Sequence, residues 1–189
     1  MNLPGRQPLA VRVATIADAT ALCALVNSAY RGDSSRAGWT TEADLLGGQR
    51  TDVAALEAFI HDGATHGTQV MLLHEDAAGP ACCVQLERRD TEAYLGMLTV
   101  RPLGQGSGWG RALLEAAEQH VRGEWRVRAV SMTVIEQRDE LISWYERRGY
   151  RRTGRTAPFP YGDVRFGEPK RADLRFVVLR KDFVEESTP

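Results

Sequence analysis

Four glycines fall at alternate positions, Gly104, Gly106, Gly108 and Gly110, between the apolar run GMLTV that ends at Val100 and the helical pattern RALLEAAEQHV. Glycine removes side chains where backbone N–H groups converge, and a helix start carries unpaired donors and partial positive charge. The segment Gln105, Gly106, Ser107, Gly108, Trp109, Gly110 and Arg111 is therefore suited to an anion, above all a phosphate. Two phosphate loops are excluded by residue. A P-loop requires Lys and then Ser or Thr after its last glycine, whereas Arg111 and Ala112 follow Gly110. A dinucleotide fingerprint requires a third glycine where this chain has Trp109 or Arg111. Metal chemistry has no support either, because Cys23, Cys82 and Cys83 share no ligand spacing with His61, His66, His74 or His120.

These residues need a strand before the turn and a helix after it. GMLTV supplies the strand, and Pro102 stops its pairing because proline has no N–H to donate. From Ala112 the apolar residues Ala112, Leu113, Ala116, Ala117 and Val121 recur at helical spacing. Upstream, Leu9–Thr15 alternates as a strand, and a helix opens at Ala17 and Asp18 and runs to Tyr30. The stretch from Arg31 to Arg50 reads as loop. A second helix is expected with Thr51 as N-cap and Gly63 as stop. QVMLLHE and ACCVQLER form a hairpin around Asp76–Gly79, and Asp90 and Thr91 turn the chain into the strand that ends at Val100. Downstream come the strand Arg128–Ile135, a helix and strand within Glu140–Gly154, the loop Thr156–Arg171 and a last strand, ADLRFVVLRKDF. This order predicts one domain over residues 1–189 with an α/β mixed sheet flanked by helices.

Composition narrows the function. A formal net charge of −1 over 189 residues does not suggest a nucleic-acid-coating surface. Three cysteines, two of them adjacent in a strand, argue against a disulfide scaffold and for a reducing compartment. MNLPGRQPLA lacks the apolar run of a signal peptide, and no stretch reaches membrane-spanning length. The expectation is a cytoplasmic protein with no nucleic-acid or membrane partner.

The pattern Gln105-x-x-Gly108-x-Gly110, followed by Arg111 and a leucine-rich helix, resembles the acyl-CoA pyrophosphate loop of the GNAT N-acetyltransferase superfamily. A second run supports this: Trp144-Tyr145-Glu146-Arg147-Arg148-Gly149-Tyr150 is similar to the superfamily's late helix and following strand. Gly149 stands where a helix end takes a left-handed residue, and Arg147 and Arg148 suit the negative end of the dipole. The resemblance extends from about Val11 to Leu179, with the specific motifs between Met97 and Tyr150. It implies a central mixed, mostly antiparallel sheet, acetyl-CoA as cosubstrate, no metal, and a small-molecule or peptide amine as acceptor; a homodimer is compatible with it.

The resemblance also implies roles for residues. Leu98, Thr99 and Val100 match the strand end that receives the pantetheine arm, although they also read as plain core strand. Tyr145 matches the phenol that protonates the departing thiolate; a buried packing aromatic is the competing reading. The superfamily commonly has Asn where this chain has Arg138, which suggests a phosphate contact instead. An amine must lose a proton before it attacks. Glu42, in GWTTEADLL, is a candidate base if its loop folds over the site, against the alternative of a solvated glutamate. Glu92 and Tyr94 are comparable options. Tyr30–Trp39, Thr40–Glu42 and Pro158–Asp163 are expected to set specificity. Two alternatives stay open: a different acyl-CoA donor, and a CoA-binding regulatory module without turnover.

Overall fold

A computed structural model describes residues 9–183; the segment Met1–Pro8, which supplied most of the signal-peptide reading, lies outside them. The elements are β1 (Arg12–Val13), α1 (Ala19–Tyr30), α2 (Gly32–Ser35), β2 (Leu46–Gly47), α3 (Val53–His66), β3 (Gln69–Asp76), β4 (Gly79–Arg89), β5 (Glu92–Val100), α4 (Trp109–Gly123), β6 (Ala129–Ile135), α5 (Asp139–Glu146), β7 (Arg151–Pro158), β8 (Glu168–Pro169) and β9 (Arg175–Asp182). Seven strands form one sheet in the order β1-β3-β4-β5-β6-β9-β7, and β2 pairs β8 separately. Among the described residues only the β5–β6 pairing is parallel; the other pairings are antiparallel. This is the mixed, mostly antiparallel sheet that the sequence suggested.

Period-2 alternation divides the core into two layers. Met71, Leu73 and Cys83 pack against Leu22, Val26, Leu56 and Ile60 of α1 and α3. Leu72, Cys82, Val84 and Leu86 face the other way, toward Leu113, Leu114, Ala117 and Val121 of α4 and toward Ile142 of α5. The adjacent cysteines therefore enter opposite layers, and both are free thiols. Burial pushes each up to about 12.

Several local expectations are corrected. The first strand shrinks to Arg12 and Val13, and a 3₁₀ turn at Ile16–Asp18 precedes α1. Asp18 is drawn into that turn by the Thr15 N–H at 2.7 Å and by Arg12. The N-cap of α3 is Asp52, whose carboxylate accepts from the Ala55 N–H at 2.8 Å, not Thr51. Gly63 does not stop α3. A Cβ there would lie 2.4 Å from the Gln69 carbonyl oxygen, so the glycine serves close packing. The helix ends instead at the left-handed Gly67. Helix α4 starts at Trp109, three residues before the first periodic apolar residue, and β7 takes Thr156–Pro158 from the expected tail loop. Gly149, at φ +91°, has the left-handed conformation expected after α5.

Candidate active site

The site is made where β5 and β6 part. Their ladder stops after Tyr94↔Ser131, although β5 continues to Val100 and β6 to Ile135. A bulge on β5 drives the separation. Gln85 pairs with Gly96 and Cys83 with Thr99, so β5 has one residue more than β4 here, and Met97 takes φ +44°. On the edge left without a strand partner, the Leu98 carbonyl accepts from the Tyr30 hydroxyl at 3.1 Å and the Val100 carbonyl from Gln105 Nε2 at 3.3 Å. Each carbonyl retains a second lone pair for an incoming donor.

A cleft of about 400 Å³ runs along this unpaired end of β5, between the glycine turn and α5. Its lining includes Leu98, Thr99, Val100, Gln105, Gly106, Gly108, Gly110, Arg111 and Arg138, all named from the sequence. Ser107 and Trp109 belong to the same turn but not to the lining. Trp109 packs its ring on the core beneath and sits edge-on to His74 at 5.7 Å. The glycine turn sets the start of α4 at the cleft, where Gly108, Gly110 and Arg111 line it. Gly106 (φ +84°) and Gly108 (φ +93°, the N-cap) are both left-handed, which a side chain would strain. Gln105 faces the adjoining segment: its Oε1 accepts from the Trp39 N–H at 2.9 Å, tying the loop after α2 to the end of β5.

The lining of the cleft is also cationic. Arg111, Arg147 and Arg148 line it. The Arg148 guanidinium lies 3.6 Å over the Trp144 ring and donates to the Trp144 carbonyl at 2.6 Å, while its buried Nε–H has no acceptor. Burial, then the like charges of Arg147 and Arg111, push Arg148 below its ordinary value. Orphaned donors, crowded like charges and a helix start within one cleft fit a polyanion such as the phosphates of CoA.

A smaller pocket of about 110 Å³ lies in the parting itself, lined by Tyr94–Met97 of β5 and Met132–Ile135 of β6, and shares Tyr30, Arg138 and Leu141 with the cleft. Tyr145 lines it, 5% exposed, with ring contacts to Trp144 and Tyr150 at 5.0 and 5.6 Å. Burial and then Tyr30 push its phenol above the ordinary value, so it remains a proton donor at any neutral pH. The packing reading of Tyr145 holds, since its ring belongs to the core, and the residue also lines the pocket.

Glu42 is not the solvated glutamate of the alternative reading: it is 7% exposed, and it lines the smaller pocket. Its carboxylate is shared by two buried arginines, with Arg31 Nη1 donating to Oε2 and Arg138 Nη1 donating to Oε1 at 2.7 Å. Burial opposes its charge, but Arg138, Arg31 and Arg50 prevail and hold it below the usual carboxylate range. A carboxylate so engaged is a poor base. Arg138 is equally committed: Nη2 donates to Thr40 Oγ1 at 2.8 Å, so this residue spans the two cavities rather than reaching freely for a phosphate. Glu92 accepts from Ser131 at 3.1 Å and lies 3.4 Å from Arg180, outside the lining of both cavities. Tyr94 does line the pocket, its hydroxyl 2.7 Å from Thr133 Oγ1. Phe159, from the proline-flanked tail segment, forms part of the wall with Phe166 and Phe176. Arg31 and Arg50 carried no signal in the sequence, because lone arginines in an irregular segment look like solvated charge.

Among the described residues no group of three or more side chains has the makings of a metal site, and no helix is long and apolar enough to cross a membrane. Residues 43–159 match the family model described as the acetyltransferase (GNAT) domain. No curated protein is similar in sequence at a significant level. Solved structures share the fold. A ribosomal-protein-alanine N-acetyltransferase from Brucella melitensis superposes with a TM-score of 0.69 at 19% identity, over 93% of this chain and 100% of that one. The yncA protein of Salmonella typhimurium, solved with its cofactor acetyl-CoA, gives 0.68 at 18%, over 97% and 98%. A mutant of the spermidine N-acetyltransferase SpeG from Vibrio cholerae gives 0.64 at 15%, over 92% and 95%.

Proposed function

Because the chain belongs to the GNAT acetyltransferase family and is an acyltransferase, we propose that it moves acetyl from acetyl-CoA to the amine of a small-molecule or peptide acceptor. The observation that carries this reading is the parting of β5 and β6, which joins a cationic cleft at a helix start to a pocket holding a protonated phenol.

The chain's residues divide the work. N–H groups between Gln105 and Arg111 hold the pyrophosphate, and Arg111, Arg147 and Arg148 meet the remaining phosphate charge. A charge at a helix start contributes only about 0.3–2 kcal/mol. Micromolar affinity requires about −8 kcal/mol, so the arm must also bond along Leu98–Val100. The thioester supplies an acyl carbon that an amine can attack with loss of thiolate. Tyr145 gives its hydroxyl proton to the sulfur as the C–S bond breaks, and the phenolate takes up the proton that the attacking nitrogen loses; such acid catalysis typically contributes about 10²–10⁴-fold. Its raised pKa keeps that proton available. Glu42 does not take the amine proton in this reading; it orients Arg31 and Arg138.

Thiol release from acetyl-CoA against an amine panel, beside calorimetric CoA binding, tests the reading. Turnover with acetyl-CoA ahead of octanoyl-CoA in kcat/KM is expected. Tight CoA binding without turnover on any amine would instead identify a regulatory module, and a preference for octanoyl-CoA a different acyltransferase.

A further inference from the structure

The smaller pocket is unbalanced in charge. Arg31, Arg50 and Arg138 line it against a single carboxylate, Glu42, which leaves an excess of two positive charges. The rest of its lining, among the described residues, includes Tyr30, Tyr94, Phe159, Phe166 and Phe176 and no second carboxylate to offset that charge. Arg31 is 5% and Arg138 6% exposed, and the Nε–H of each is buried without an acceptor. Arg50 lies over the Tyr30 ring at 5.6 Å and makes no ion pair among the described residues. Buried cationic donors left in this state are costly unless something completes them.

We propose that the acceptor is an amine that also carries an anionic group, a carboxylate in the manner of a free amino acid, which completes the charge of Arg31, Arg50 and Arg138. This deepens the acetyl-transfer reading and rests on it. The same excess charge does a second service. A cationic surrounding disfavours an ammonium and favours the neutral amine that attacks. The pocket therefore generates the nucleophile without a dedicated carboxylate base, consistent with Glu42 being tied between two arginines. A polyamine would add positive charge where two are already unbalanced, so spermidine is a poor acceptor.

The experiment compares L-leucine and L-phenylalanine with their primary amides, and with spermidine, in acetyl-CoA turnover. The amide's amine is less basic, so intrinsic reactivity favours the amide, and any preference for the acid measures recognition. One completed charge-assisted contact corresponds to about 10–100-fold in kcat/KM for acid over amide. Arg50→Gln is expected to reduce that ratio to below about threefold and Arg50→Lys to retain most of it, with CoA affinity unchanged in both. Equal or better turnover of the amides or of spermidine, or a ratio that Arg50→Gln does not move, overturns the inference while leaving acetyl transfer intact. Calorimetry on the CoA-loaded protein with 3-phenylpropionate and 3-phenylpropylamine separates the two readings. Binding of the acid alone, without turnover of any amine, keeps the anion site and rejects acetyl transfer. Binding of the amine alone rejects the anion site.

Discussion

Replacing Glu42 by Gln removes one negative charge from between two guanidinium groups that are 5% and 6% exposed. Neither arginine has another carboxylate among the described residues, and Gln can offer only one weaker acceptor in place of two charged oxygens. Breaking a buried ion pair by removing one partner costs about 3–5 kcal/mol, because the remaining charge stays desolvated. For a chain of this size each kcal/mol lowers Tm by about 2–4 °C, so Glu42→Gln should lower Tm by about 6–20 °C. Differential scanning calorimetry at pH 7 is the assay. The pH dependence has a definite sign. Folding lowers the Glu42 pKa from its ordinary 4.5, so its contribution is present above about pH 4.5 and is lost as pH falls through the folded value. The Tm gap between wild type and variant should therefore narrow in acid. Arg138→Met extends the test: in the double variant only Arg31 is uncompensated, so its loss should fall short of the summed single losses by about 0.5–3 kcal/mol. A Tm shift below about 2 °C together with a kcat loss of about 100-fold or more would refute this reasoning and restore Glu42 as the base.

Two further outcomes follow from the cleft. Tyr145→Phe keeps the packed ring and removes the donor, so kcat should fall by about 10²–10⁴-fold with acetyl-CoA affinity nearly unchanged, provided thiolate departure limits the rate; near-normal kcat at every pH would reduce Tyr145 to a core aromatic. Gly108→Val forces a β-branched residue to φ +93° at the N-cap of α4, a strain of about 1–3 kcal/mol, and puts side-chain volume into the cleft. Calorimetric CoA affinity should drop by at least about tenfold with circular dichroism retained; an unchanged affinity would remove the turn from the binding site.

The glycine turn before α4 and the helix carrying Tyr145 were legible in the sequence because each is a local event. Left-handed glycines, a helix start and a helix stop are set by residues within a few places of one another, so they leave a readable spacing. Chain order likewise announced the mixed sheet, since alternation and helical period report which face each residue buries. Glu42 was misread for the converse reason. Its partner Arg138 is 96 positions away, Tyr30 meets the Leu98 carbonyl across 68, and a polar contact between irregular segments imposes no period on either. Gly63 shows the same limit in miniature: its type is that of a helix stop, but its cause is the Gln69 backbone pressed against it from the next strand. Local sequence therefore determined the glycine turn and the helix start that line the larger cleft. Only the tertiary structure decided the charge of the smaller pocket, because that charge is a balance of arginines and a carboxylate brought together by packing.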